Sequence, residues 1–289
     1  MSLVPSVFAD AAANNIASQG LPPKPVDLFS IGGFPINNSI IAETIACVAV
    51  ITVVQVAMRA PKLVPTGLQN FVEWLVELLS NFAESLAGRE TMQRGFWFFG
   101  SLFVFILAEN LLALMPGTGT FGYGHGTNIW NFEVTQPFLR GANANVNVTA
   151  AYTAIYFFVY FYWCIRQAGL WGSLVHIFGS KARFPNKIVN WLFIIVFFLV
   201  GWIEVFSILV IRPVAFTFRL YGNIYGGEYL LDAVYKMAPN FAFILLVPFY
   251  FYELLVAFVQ ALVFFALTAA FTGIITAAGD HSPDAKDSH

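Results

Sequence analysis

Charge is what this sequence has least of. Of its 289 residues only 10% are Asp, Glu, Lys or Arg, while 58% are hydrophobic. The mean hydropathy of +0.73 lies far from that of a soluble domain. With a net charge of -2 and its basic residues scattered along the chain, it has no surface for nucleic acid. Cysteine is almost as scarce. Cys47 and Cys164 each sit in an apolar run, so they make neither a disulfide framework nor a metal motif and should behave as small hydrophobes. Histidine occurs four times, as His125, His176, His281 and His289, all in predicted loops or the tail. No His-Glu-x-x-His or Gly-x-Ser-x-Gly motif occurs, so an intramembrane hydrolase or acyltransferase would lack its nucleophile, base or metal set. No catalytic residue, metal ligand or cofactor is expected. The ten-residue alternation of an outer-membrane barrel is missing as well.

What the chain has instead is long apolar runs, several reaching the ~18 residues that mark a spanning helix. The expected class is an all-α polytopic membrane protein of five transmembrane helices plus one amphipathic surface helix. Residues 1–38, interrupted by Pro22, Pro23, Pro25, Gly32, Gly33 and Pro35, should form an extracytoplasmic segment with little regular structure. Their start lacks the basic and apolar regions of a signal peptide. Residues 39–279 form a single transmembrane domain, and 280–289 a tail. The first span covers about 40–58, with Glu43 a turn inside it and within reach of the interface. Residues 67–87 place Leu68, Phe71, Val72, Leu75, Leu78, Leu79 and Phe82 at helical spacing, with Glu73, Glu77 and Glu84 on the other side. This predicts an amphipathic helix on the membrane surface.

The second span, about 95–115, carries Glu109 and Asn110 near its end and stops at Met115-Pro116-Gly117. A segment of about thirty residues follows. It leads to Asn145-Val-Asn147-Val-Thr149, where Asn147 or Thr149 can cap the third span, about 150–166. That span is dense in aromatics, which, like Trp97, Trp163 and Trp171, suit an interface belt or packing. Arg59, Lys62, Arg89, Arg94, Arg166, Lys181, Arg183 and Lys187 fall on one side, against Lys24, Arg140 and Lys236 on the other. This bias places the N-terminus outside and the C-terminus in the cytoplasm.

Two apolar stretches remain, 188–235 and 240–277, each too long for one upright span. At 1.5 Å per residue they reach ~70 Å and ~57 Å, against a hydrocarbon core of ~30 Å. Only Pro213 interrupts the first and Pro248 the second, and a single proline kinks a membrane helix more readily than it ends one. Two long, strongly tilted, antiparallel helices joined at Met237-Ala-Pro239-Asn240 are expected.

Inside this hairpin lie Glu204, Arg212, Arg219, Asn223, Glu228, Glu253 and Gln260. A charge at the bilayer centre costs at least ~2.5–3.5 kcal/mol and therefore marks function. Asn223 is one turn from Arg219, Glu228 lies ~13 Å along the helix and Glu204 ~22 Å the other way. In antiparallel register Gln260 comes near Arg219 and Glu253 near Glu228. The pattern reads as an outer path lined by Asn223, Glu228 and Glu253 and an inner one near Glu204. The fixed charge of Arg219 between them bars direct cation passage.

The run Arg219-Leu-Tyr-Gly-Asn223-Ile-Tyr-Gly-Gly-Glu228 resembles the signature of subunit a of F-type ATP synthases, bacterial type. The likeness extends to Arg212-Pro213-Val, Gln260-Ala-Leu-Val-Phe, Pro65-Thr-Gly-Leu-Gln-Asn-Phe-Val-Glu73 and Asn147-Val-Thr149. It implies a multi-pass stator subunit in the plasma (inner) membrane of a bacterium, non-catalytic by itself. Its implied partners are a c-subunit ring, b-type peripheral stalk subunits, the remaining ATP synthase subunits and membrane lipid. Arg219 would be the barrier and the partner of the ring carboxylates. Asn223, Glu228, Glu253 and Gln260 would line the outer half-channel, and Glu204 corresponds to an acidic position near the inner one. Arg212 matches a basic position beside proline rather than the essential arginine, although in a regular helix it shares a face with Arg219.

One departure from the family matters. Many relatives have a histidine at one of the two acidic positions, whereas here both are carboxylic acids, which should titrate as a coupled pair and relay the proton. Gly222 and Gly226 form Gly-x-x-x-Gly, ordinarily a sign of close helix packing. The alternatives are a Na⁺-coupled version of the same subunit or a stand-alone secondary cation transporter, although no inverted repeat is found among the spans.

Overall fold

The computed structural model describes residues 27–31, 34–115, 118, 122–125, 133–178, 187–237 and 241–279. The expected hairpin joint at Pro239 and Asn240, the loop bearing Lys181 and Arg183, and the tail from Asp280 lie outside them. Asn37 opens the first helix, its side chain accepting the Ile40 N–H at 3.0 Å and so capping α1 (Asn38–Ala57). Gly67 and Gly88, with φ of 61° and 82°, bracket α2 (Leu68–Ala87). Glycine takes this left-handed geometry without strain. The chain can therefore turn sharply into α3 (Arg89–Ala113). One face of α2, with Leu79, Ala83 and Ala87, is buried against α3 and the last helix.

The helix α4 (Val146–Phe178) is capped by Asn145, whose side chain accepts the Asn147 N–H at 3.1 Å. The cap is thus neither Asn147 nor Thr149. The helix also runs on past Arg166, because a charge marks where a chain leaves hydrocarbon, not where helical geometry must end. His176, expected in a loop, consequently lies within α4.

The long stretch that follows is helical throughout but not uniformly α. It comprises α5 (Lys187–Phe206), a π-helical turn (Ser207–Ile211) and α6 (Arg212–Met237). Pro213 has no N–H, so the carbonyl of Leu209 loses its partner. The ladder widens just before it, with the Arg212 N–H reaching Ser207. The last helix, α7 (Ala242–Gly279), tolerates Pro248 without ending.

Among the described residues two small antiparallel hairpins qualify the all-α expectation, and the first gives regular structure to the end of the segment 1–38, where little was expected. They pair β1 (Asp27–Ile31) with β2 (Phe34–Asn37) and β3 (Gly122–His125) with β4 (Glu133–Pro137). Both belong to stretches outside the apolar runs, where backbone groups must find local partners once no helix forms.

Among the described residues, five helical stretches are long and apolar enough to cross a membrane: Asn38–Ala57, Gly95–Ala113, Val146–Arg166, Ile195–Met237 and Ile244–Gly273. The main core joins α2, α3, α4, α6 and α7 through Leu79, Ala83, Phe99, Phe103, Ile106, Tyr156, Phe216, Leu220, Phe264 and Phe265. The rings meet largely edge to face, as between Phe216 and Phe264 at 5.2 Å. At Gly273 an added Cβ would lie 2.5 Å from the Ala87 Cα, so the missing side chain sets the approach of α2 to α7. Cys47 and Cys164 are unbridged.

Candidate functional site

The core turns one side of α6 inward through Phe216, Leu220 and Ile224, which leaves Ala215, Arg219, Gly222, Gly226 and Ala233 exposed. Among the described residues Arg219 forms no ion pair or hydrogen bond; its guanidinium lies 5.9 Å from the Phe216 ring. A Cβ added at Gly222 or Gly226 would meet nothing within 4 Å. The Gly-x-x-x-Gly pair therefore serves no packing among these residues.

Arg212, seven residues earlier, has the opposite situation. It is half-buried, with its guanidinium 4.3 Å from the Phe271 ring and a hydrogen bond to Tyr160. Glu204 is half-buried beyond the π turn, within electrostatic range of Tyr160. Among the described residues Glu204 shares Tyr160 with Arg212 and is not one of the polar residues that meet between α6 and α7.

Those others do converge between α6 and α7. Asn223 donates from Nδ2 to Gln260 Oε1. One turn further along, the Glu253 carboxylate rests on Gly227, where any Cβ would overlap it. Gln260 thus meets Asn223 rather than Arg219 itself. Glu253 and Gln260 are 4% and 5% exposed, so two polar side chains of α7 are taken out of the bilayer by glycine and amide groups of α6.

Glu228 is held from elsewhere. The segment between β4 and α4 folds inward, and Arg140 Nε pairs with Glu228 Oε2 at 3.3 Å. The Gly141 N–H adds a hydrogen bond to the same carboxylate. Gly141 fits there because it lacks a side chain: a Cβ would be 2.7 Å from that of Ala113 and 3.0 Å from Glu228 Oε1. Beside it a 3₁₀ turn (Ala142–Ala144) sends the Asn143 amide to Asn110 Oδ1 at 2.7 Å. Asn110 in turn donates to the Ala257 carbonyl of α7 at 3.2 Å.

Arg140 and Asn143 escaped the sequence reading because a polar residue in a polar connecting segment carries no signal of burial. By its place in the sequence Arg140 reads as a loop charge, yet it is 2% exposed. Glu109 and Asn110 stood out in an apolar run, but nothing in the sequence named their partners.

The family described as ATP synthase A chain matches residues 40–273. The chain is 29% identical over 257 residues to ATP synthase subunit a of Anaeromyxobacter sp. (strain Fw109-5), covering 86% of this chain and 56% of that protein. It therefore spans about half the length of that relative. Subunit a of Moorella thermoacetica is 24% identical over 249 residues, covering 86% of this chain and 94% of the relative. The subunit a of Solidesulfovibrio magneticus is 31% identical over 232 residues, with 80% and 81% covered.

Proposed function

The chain belongs to the ATP synthase A chain family, and on that premise we propose that it supplies the two offset half-channels through which protons reach and leave a ring of c subunits. As a member of that family it is a non-catalytic, membrane-embedded part of a larger assembly.

The observation that carries the proposal is the exposed face of α6. Arg219 stands on it without a partner among the described residues, flanked by Ala215, Gly222 and Gly226. A guanidinium facing hydrocarbon is costly, and a strip of small side chains invites a close helix. A helix bearing a carboxylate, as a c subunit would, satisfies both. The arginine favours the ionised carboxylate opposite it and bars a direct leak.

The Asn223–Gln260 pair, Glu253 on Gly227 and the Arg140–Glu228 pair lie on one side of Arg219 along α6. This side suits the outer half-channel, with Glu228 and Glu253 as the relay. Glu204 lies on the other side and suits the inner one. A continuous helical stretch of 43 residues, Ile195–Met237, is far longer than the ~20 needed to span, which supports a strong tilt for α6 against the ring. The same reading puts α2 on the cytoplasmic surface, the N-terminus outside and the b-type stalk beside the subunit, in a bacterial inner membrane.

The test is ATP-driven ion uptake into vesicles carrying the assembled complex, with passive leak recorded alongside. Arg219→Ala should abolish coupled uptake with assembly intact and raise the leak. Full coupled pumping by that variant would reject the assignment. Uptake that persists without Na⁺ would favour H⁺ over Na⁺ as the coupled ion.

A further inference from the structure

The spacing of the residues that α5 and α6 bury changes at one place. Gly201 and Ile208 are seven apart, Ile208 and Phe216 are eight apart, and Leu220 and Ile224 follow at intervals of four. At about 100° per residue, seven residues stop ~20° short of the same helix face, whereas eight carry ~80° past it. A regular α-helix with this sequence would therefore turn Gly201 and Ile208 out of the face that Phe216 buries. The extra residue falls where the π turn (Ser207–Ile211) lies. Its wider bonding, with the Arg212 N–H on the Ser207 carbonyl, takes up one residue more than an α turn and returns the buried face to register. Pro213 lacks the N–H that an α turn would give to the Leu209 carbonyl, which lowers the cost of leaving α geometry at this step.

The charged residues follow the same count. Glu204 and Arg212 are eight apart, across the π turn, while Arg212 and Arg219 are seven apart, beyond it. In an unbroken α-helix Glu204 would point ~80° away from Arg212; with one residue absorbed the offset shrinks to ~20°, and all three fall within ~40° of one another. The contacts agree. Arg212 donates a hydrogen bond to Tyr160 of α4 and lies 4.3 Å from the Phe271 ring of α7, and Glu204 is within electrostatic range of the same Tyr160.

We propose that the π turn is a register device of the ion path, which holds the Glu204 carboxylate on the helix face of Arg212 and Arg219. The contacts of Arg212 with Tyr160 and Phe271 fix that phase against α4 and α7. The proposal rests on the reading of Glu204 as the acid of the inner half-channel. What pumping requires of this stretch is the phase of the carboxylate, and the π turn is the means by which this sequence, with its one extra residue, meets it.

The test is a register experiment in the assembled complex, reading ATP-driven uptake into vesicles, with subunit level measured by immunoblot. From Ile195 to Phe206 α5 is mostly exposed, so rotating it costs little packing inside the chain. Deleting Leu209 should close the π turn to an α turn, leave Glu204 in phase and give a subunit that assembles and pumps near the parental rate. Inserting one alanine after Leu209 should turn Glu204 about 100° off the face. Pumping should then fall by about tenfold or more, the scale on which misplacing a reacting group is felt. Glu204→Val with Val205→Glu should do the same in the parental chain. In the insertion variant that exchange returns the carboxylate to eight residues before Arg212, and pumping should recover. A merely structural defect of the insertion would not respond to moving a carboxylate by one position. An assembled Leu209 deletion that does not pump, or an insertion that pumps at the parental rate, overturns the proposal. If the deletion does not assemble, the insertion decides: recovery on the exchange supports the register device, and no recovery overturns it. Full pumping by Glu204→Gln in the parental chain would instead remove Glu204 from the path, and the proposal with that reading. Loss of pumping in Glu204→Gln beside a fully pumping insertion removes the register device alone.

Discussion

Arg140 and Glu228, 88 residues apart, meet as an ion pair at 3.3 Å with side-chain exposures of 2% and 15%. The pair ties the segment before α4 to the later part of α6, so the connecting segment is packed into the polar cluster on that helix and is not a tether.

Removing one partner of a buried pair leaves the other charge uncompensated, at a cost of ~3–5 kcal/mol. Arg140→Ala should accordingly lower the thermal stability of the subunit in the purified complex. Arg140→Met combined with Glu228→Gln should recover much of the loss, since no lone charge remains. Thermal unfolding of the two variants checks this, and an unchanged midpoint in Arg140→Ala would contradict it.

Gly227 and Gly222 should respond differently. A Cβ at Gly227 overlaps the Glu253 carboxylate, whereas at Gly222 it meets nothing. Gly227→Ala should displace Glu253, lowering both subunit level and coupled pumping. Gly222→Leu should leave the subunit level intact while pumping falls by about tenfold or more, because only an external helix needs that space. Membrane immunoblots paired with pumping assays separate the two, and a fully pumping Gly222→Leu would count against a partner on this face.

Glu253→Gln keeps shape and removes the exchangeable proton. If Glu228 and Glu253 relay protons as a pair, the variant should pump at a small fraction of the parental rate, by about a hundredfold at the limit set by losing a positioned acid–base group. Undiminished pumping would exclude Glu253 from the relay.

Asn143→Leu deletes the donor that Asn110 Oδ1 uses at 2.7 Å and leaves a buried acceptor unpaired. The expected destabilisation is ~1–3 kcal/mol. The double variant Asn110→Leu, Asn143→Leu should cost less than the sum of the two single changes. Additive losses would show that the amides do not act as a unit.

The five apolar runs were legible because burial in hydrocarbon demands about twenty apolar residues in a row. The charged and amide positions of α6 and α7 were legible for the same reason: an arginine or glutamate stands out against phenylalanine and leucine. Pro213 announced a disturbance, but only the backbone reveals that it takes the form of a π turn before the proline rather than a simple kink. The antiparallel register came within a turn, with Gln260 opposite Asn223 instead of Arg219. One turn is the scale on which side-chain reach, invisible in spacing, decides who meets whom.

The sequence by itself determined the membrane class, the family and the residues of the hairpin that carry polar groups, since each depends on composition or on spacing along one helix. Tertiary structure alone decided which of them are satisfied inside the chain and which face outward. Arg212 turns to Tyr160 and Phe271 while Arg219, on the same helix, stays exposed. Arg140 and Asn143 joined the site only through contacts between segments remote in the chain. Such contacts are set by how five helices pack around one another, and no local pattern of residues encodes the distance between them.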